Sequence, residues 1–351
     1  YLMDHPKALF GSPLEASVFD PNNPYALAPH LCAAANELPI TDQDQDLFGP
    51  NLPVVLTQLG AEGLLRQRST GWHWVLPESP TDLTDLRGSG GQTIQLVESA
   101  TGRLLGTVDQ GRAPATVHPG AVYLHQGETF LVEQLDLATG LAALKAANPV
   151  YTTMPIFRSS LRVIEQADQS QEQGATWHYG QVEVISQVTG FDRLSLTGRE
   201  KLGSFPLEMP EQTLRTTGTW CVLQPAVTDQ LPPDLLPGAL HGAEHAGIGP
   251  LPLFAACDRW DLGGLSTKDH PQTGGPSIFI HDAQPGGAGL AKQAFERRHE
   301  LIKAVAELLQ TCACDAGCPS CIQSPKCGNA NQVLSKPGAL ALLAALLTTA
   351  L

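Results

Sequence analysis

Residues 311–329, TCACDAGCPSCIQSPKCGN, hold five of the chain's eight cysteines: Cys312, Cys314, Cys318, Cys321 and Cys327. A secreted disulfide framework would spread its cysteines along the chain and follow an export signal. Clustering of this kind points to a metal instead. Cys318 and Cys321 form a C-x2-C pair in which the Pro319 turn aims two sulfurs at one point. Cys312 and Cys314 form a C-x-C pair just upstream. Four thiolates at about 2.3 Å make a closed tetrahedral zinc site, and a closed site is structural because no position remains for water. Five sulfurs exceed four positions. The expected ligands are Cys312, Cys314, Cys318 and Cys321, with Cys327 an alternate fourth ligand, since the two C-x-C sulfurs are cramped on one ion. Free thiols or a redox switch are the competing readings, and so many bare thiols this close would be prone to oxidation. Cys32, Cys221 and Cys257 read as buried small apolar residues.

The cysteine block is framed by helices. LAKQAFERRHELIKAVAELLQ (290–310) predicts one long amphipathic helix with Leu290, Phe295, Leu301, Ile302, Val305 and Leu308 as its stripe. LSKPGALALLAALL (334–347) predicts a closing helix, with Ser335 as cap and Pro337 in its first turn. Upstream, SIFIHDAQPGGAGLA (277–291) reads as a buried strand, Ser277 to His281, running into a Gly-rich turn. That turn could offer backbone N–H groups to a phosphate, or be only a tight strand-to-helix connection. His241, Glu244 and His245 stand as H-x-x-E-H, the inverted zinc-protease spacing. With Asp258 and Asp282 nearby in sequence, a metal-dependent hydrolase or nuclease using the His241/Asp258/Asp282 region is one possibility. A buried polar network joining His241, His245, Arg259 and Asp282 is the plainer one, because no third ligand can be located.

The rest of the chain divides by pattern. Residues 1–80 read as helical and end in a hairpin. PHLCAAANELPI (29–40) has helical spacing, and Val55, Leu56, Leu59 and Leu64 mark a short helix that Gly60 and Gly63 should stop. Ser69-Thr70-Gly71 is a turn, and Trp72, Trp74 and Leu76 alternate on the return strand. A helix followed by such a hairpin ends a winged helix, and Arg66 and Arg68 on it are candidate phosphate contacts. Residues 81–90 read as a linker. Residues 91–225 carry short alternating runs broken by Gly, Asn and Pro, among them 94–99, 103–109, 121–136, 182–191 and 217–225, which suggest a small barrel with a tight hairpin at Gln126-Gly127. Trp177, Tyr179 and Trp220 are core aromatics or, less plainly, a base-stacking platform. Residues 226–351 return to α/β. The expected fold class is therefore α+β: a winged-helix-like N-terminal part, a β-barrel-like middle and an α/β C-terminal part with a four-cysteine structural zinc site.

Bulk properties limit the function. The 351 residues suffice for two or three domains, each with its own core. With 42% hydrophobic and 16% charged residues the chain is globular rather than disordered. A formal charge of −14 argues against a surface that grips nucleic acid everywhere, though not against a local groove. No apolar run reaches the roughly 18–20 residues of a membrane helix, and Asp4 and Pro6 interrupt any signal-peptide core, so a cytoplasmic place is expected. No G-x4-G-K-[ST] loop occurs, GSGGQT (88–93) lacking the lysine, so ATP hydrolysis by that route is not expected. There is no initiator Met, as in a piece of a longer protein.

CACDAGCPSCIQSPKCGNANQVLSKPGAL (312–340) resembles the four-cysteine zinc domain of MrfA-type helicases, superfamily-two DNA repair enzymes related to the RecQ-four-like helicases. Residues 240–266 and 278–291 resemble the domain of unknown function that carries that site, 122–136 its β-rich entry, and 4–39 the stretch after the second motor domain. The resemblance implies a parent that translocates three-prime to five-prime on single-stranded DNA, with ATP and magnesium confined to motor domains that this chain lacks. It implies zinc on Cys312, Cys314, Cys318 and Cys321, with Cys327 inside the same block. The implied role is a non-motor accessory region, not itself an enzyme, that guides or clamps single-stranded or junction DNA and stabilises the motor. A protein-interaction module without DNA contact is the remaining alternative.

Overall fold

A computed structural model describes residues 1–11, 18–84, 92–172, 174–198, 200–328 and 330–349. The linker expected at 81–90 lies mostly outside them, as does the GSGG part of GSGGQT; Pro80–Leu83 form a single 3-10 turn.

The N-terminal part is the expected winged helix. After a short α1 (Pro6–Phe10), α2 (Pro24–Glu37) is capped by Asn23, whose Oδ1 accepts from the Tyr25 N–H at 2.9 Å. The single turn α3 (Gln45–Phe48) leads to α4 (Leu52–Ala61) and the hairpin of β1 (Leu65–Arg68) and β2 (Gly71–Trp74). An isolated bridge joins Ile40 to Trp72 on the hairpin. Leu27, Leu31, Cys32, Val55, Leu56, Leu59 and Leu65 close the core, with Trp72 and Trp74 packed on it. Gly63 ends α4, at φ +77°, with the Leu64 N–H on the Leu59 carbonyl and its own N–H on that of Gly60. Gly60 does not stop the helix. It makes room for Trp72, whose ring lies 2.6 Å from where a Cβ would stand.

The next unit is a five-stranded sheet ordered β4-β3-β7-β6-β5. Its strands are β3 (Thr93–Glu98), β4 (Leu104–Asp109), β5 (Val122–His125), β6 (Glu128–Asp136) and β7 (Leu141–Ala146), with the one-turn α5 (Ala113–Thr116) between β4 and β5. Gln126 and Gly127, at φ 48° and 86°, make the expected two-residue hairpin. The sheet is curled rather than closed. Its edge strands share no ladder among the described residues, yet a Cβ on Gly106 of β4 would stand 3.7 Å from the His125 ring of β5. Arg103 bonds Glu128 across the same gap at 2.8 Å.

A second sheet of six strands carries the C-terminal part. β8 (Tyr151–Gln171) and β9 (Ala175–Ser195) are 21-residue antiparallel strands. On its other edge β9 pairs with β10 (Lys201–Pro206) and then with β11 (Gln212–Leu223). The sheet continues through β13 (Ser277–Asp282) to β12 (Leu262–Thr267), so it runs across the expected boundary at 225/226. No alternating run announced β8: it is a bulged edge strand in which Leu161 alone is buried and residues 164–169 are exposed on both faces, so there is no period to read. Trp177 and Trp220 are core residues, 9% and 3% exposed, and Trp220 stacks between His178 and Phe279.

Helices cover one face of this sheet. They are α6 (Pro225–Thr228), α7 (Leu236–Ile248), α8 (Leu290–Glu296), α9 (Arg298–Thr311) and α10 (Lys336–Thr349). Their buried side chains, Leu240, Leu290, Leu301, Ile302, Val305, Leu309 and Leu342 among them, join Trp177, Cys221 and Ile280 in the largest core. Each such side chain contributes about 1.5–3 kcal/mol by leaving water. The single helix expected over 290–310 is broken at Arg297, with φ −105° and ψ 23°. The break sets Arg298 against Glu172 at 2.6 Å and Ser170 at 2.8 Å, tying α9 to β8 and the loop after it. α10 starts as expected: Ser335 Oγ accepts from the Gly338 N–H at 3.0 Å, with Pro337 in the first turn.

Candidate metal centre

α9 ends at Thr311, and the chain at once folds back on itself. Cys312 is the helix C-cap, Gly317 takes φ 112°, and the amides of Cys321, Ile322 and Gln323 all bond the Cys318 carbonyl. This tight loop brings four sulfurs together. Cys312 Sγ lies 3.6 Å from both Cys314 Sγ and Cys318 Sγ; Cys314 to Cys321 is 3.4 Å and Cys318 to Cys321 is 3.8 Å. A tetrahedral ion with 2.3 Å bonds to sulfur needs edges of about 3.8 Å, whereas a disulfide needs about 2.05 Å. The donor set and spacing therefore fit zinc. The Ser320 N–H, and after it the neighbouring thiols, pull the Cys318 thiol down to about 7, while burial pushes Cys321 up.

Lys336, the first residue of α10, completes this centre and was not found by sequence reasoning. It is 5% exposed. Its Nζ donates to the Cys312 and Cys314 carbonyls and lies 3.6 Å from Cys314 Sγ. Four thiolates around a dication leave two negative charges, and a buried ammonium offsets one of them. One signal was present: a lysine in a helix's first turn opposes the macrodipole, so it needs a local reason.

Cys327, expected as the alternate fourth ligand, is not in this cluster; its Sγ lies 3.5 Å from His241 Nε2. The other polar candidates are also separated. Asp258 caps a 3-10 turn, its Oδ1 accepting from the Trp260 N–H at 3.0 Å. Asp282 is fully buried at the end of β13. Its Oδ2 accepts from the amides of Ala288 and Gly289 at 2.6 and 2.8 Å, and its Oδ1 from that of Ala291 at 2.7 Å. Thr217 Oγ1 adds a bond at 3.2 Å. Two of the alternative readings of the sequence find no support in these contacts. The Gly-rich turn has no N–H groups of these three left for a phosphate, because the chain's own carboxylate occupies them. Nor do His241, Asp258 and Asp282 converge as a nuclease site, or with Arg259 as one network. Glu244 of the H-x-x-E-H pattern turns to β12, where Ser266 bonds it and burial raises it to about 7.

The same turn anchors the winged helix. Asn23 Nδ2 donates to the Pro285 and Gly287 carbonyls, both at 2.8 Å. Gly286 and Gly287, at φ 73° and 85°, permit this approach. Arg66 and Arg68 lie on β1, exposed, on the strand face opposite buried Leu65. Neither is in an ion pair among the described residues, so their charges are available to a partner.

Comparison with known proteins agrees with this architecture. A model of the MrfA Zn-binding domain matches residues 243–322, and a model of the winged helix domain of ATP-dependent helicase HRQ1 matches residues 19–89. Uncharacterized ATP-dependent helicase YprA of Bacillus subtilis (strain 168) is 30% identical over 328 residues, which are 92% of this chain and 43% of that protein. ATP-dependent helicase HRQ1 of Saccharomyces cerevisiae is 24% identical over 346 residues, 93% of this chain and 32% of that protein. The crystal structure of DUF1998 helicase MrfA bound to DNA aligns with a TM-score of 0.59 and 30% identity over 99% of this chain and 46% of that one. The chain thus spans less than half the length of these relatives. The resemblance to the accessory region of MrfA- and HRQ1-type helicases holds at both its winged helix and its zinc-binding part.

Proposed function

We propose that this chain is the non-motor accessory region of an ATP-dependent DNA repair helicase of superfamily two, acting in the cytosol. Cys312, Cys314, Cys318 and Cys321 hold one structural zinc ion, which braces α9 against α10. ATP and magnesium belong to motor domains outside the chain. The zinc supplies no step of chemistry; Lys336 offsets part of the charge of its ligands, and the rigid frame keeps the winged helix seated on the Asn23 contacts. Arg66 and Arg68 meet phosphates of a single strand or junction, so the region guides or clamps DNA leaving the motor.

The observation that supports this reading best is the reach of one likeness. A helicase bound to DNA matches over 99% of the chain, winged helix and cysteine loop together. Titration of the purified chain with labelled single-stranded, duplex and forked DNA at low salt tests it. The expected result is weak binding that falls with salt, and a log–log salt slope reduced by about 0.7–0.9 for each of Arg66→Ala and Arg68→Ala. Absence of salt-sensitive binding to every DNA would sink the reading in favour of a protein-interaction module.

A further inference from the structure

One cluster of ligating side chains lies outside the four-cysteine loop. α7 carries His241 and His245 one turn apart, their rings edge to face with centroids 4.3 Å apart. The 323–335 loop brings Cys327 to them from 86 residues away in sequence. Cys327 Sγ is 3.5 Å from His241 Nε2, and one ligand atom from each of the three residues falls within 4.8 Å of the others. The edge of a tetrahedral zinc site between nitrogen and sulfur is about 3.6 Å.

The histidines are oriented as metal ligands are. His245 Nδ1 lies 2.7 Å from the Ile322 carbonyl. A carbonyl only accepts, so that nitrogen carries the proton and Nε2 keeps the lone pair. His241 is in turn held by backbone hydrogen bonds at Gln332 and Val333. A simple thiol–imidazole hydrogen bond accounts for the 3.5 Å contact. It does not account for a second imidazole brought to the same place with its tautomer set. The loop that carries Cys327 is held beside α7 by its own hydrogen bonds, the Asn331 amide bonding both backbone groups of Ser324 at 2.8 and 2.9 Å and the Ser335 N–H the Gly238 carbonyl of α7 at 3.0 Å, so the thiol is kept in place next to the two rings.

We propose that His241, His245 and Cys327 bind a second transition-metal ion of the zinc class, pinning α7 to the loop that leads into α10. Two imidazoles and a thiolate suit zinc and exclude magnesium or calcium. Three protein ligands leave the fourth position of the ion to water, but Glu244 points to β12, so the site lacks the general base that its H-x-x-E-H spacing suggests, and its role is to join α7 to the loop rather than to hydrolyse. This assignment does not depend on the DNA reading.

Metal content of the purified full chain, measured by mass spectrometry, tests it. The wild type should hold two zinc ions per chain. His245→Gln and Cys327→Ser should each retain one, and Cys314→Ser should retain the other. A single ion in the wild type, or two ions that survive both His245→Gln and Cys327→Ser, overturns the proposal. Should those variants not fold, cobalt titration of the metal-free wild type decides. Two binding phases are expected, the one-thiolate site giving much weaker sulfur-to-cobalt charge-transfer absorption than the four-thiolate site. Saturation at one cobalt refutes it.

Discussion

Lys336 Nζ sits 3.6 Å from Cys314 Sγ while donating to the carbonyls of both Cys312 and Cys314. The contact joins the first residue of the closing helix to a sulfur pair 22 and 24 positions upstream. Lys336→Met keeps the unbranched stem, one atom shorter, and removes the charge. It leaves two carbonyls without their donor and the thiolates without their cation. The expected cost is about 2–4 kcal/mol of stability, together with faster zinc loss to a chelator. Denaturant unfolding and a chelator competition read both. Unchanged zinc retention would show that the charge pairing is unimportant.

Chelation should unfold the protein unevenly. The cysteine loop has few buried apolar side chains of its own, whereas the curled sheet has a separate core around Ile94, Leu96, Phe130 and Leu144. Metal removal is expected to raise hydrogen exchange in residues 312–335 and at the start of α10, and to leave β3–β7 protected. The stripped thiols should form disulfides in air. Exchange that rises equally everywhere would mean the ion holds the whole chain together rather than its last two helices.

Asp282→Asn tests the internal anion of the Gly-rich turn. The amide has one oxygen where the carboxylate has two, and its NH2 group would face amide donors. A loss of about 2–4 kcal/mol is expected, and added phosphate should not stabilise the wild type. A phosphate-dependent rise in melting temperature would show that the turn accepts an external anion after all.

His281 makes stability depend on pH. It is 8% exposed between β11 and β12, and burial lowers its pKa to about 4. The unfolded ring has an ordinary value of about 6.5. Between these values the unfolded chain binds a proton that the folded chain refuses. The contribution of the neutral ring is complete above pH 6.5, and it is lost as pH falls toward 4, by roughly 3 kcal/mol in all. His281→Gln should flatten the unfolding free energy over this window. An unchanged slope would place the titration in another group.

Sequence pattern made some elements legible because their causes are local. The four zinc-type sulfurs lie within ten consecutive residues, so their spacing alone brings them near one point. Ser335 and Pro337 start α10, Gln126-Gly127 turn a hairpin, and Leu56 and Leu59 mark α4 for the same reason. Where a residue had two uses, local pattern gave the wrong one. Gly60 looked like a helix stop and is a gap for Trp72; 290–310 looked like one helix and breaks at Arg297.

By itself, then, the amino-acid sequence determined an α+β chain with a winged helix and a thiol-rich loop between two helices. Tertiary structure alone decided which partner each polar group meets. Cys327 leaves the other sulfurs for His241, Asp282 fills the turn that could have taken a phosphate, and Lys336 enters the cysteine loop. The physical reason is range. Turn, cap and loop geometry act over a few residues, whereas a buried polar group must find whatever partner the packed sheet and helices bring to it, 86 residues away for Cys327 and His241 and 264 for Asn23 and Gly287.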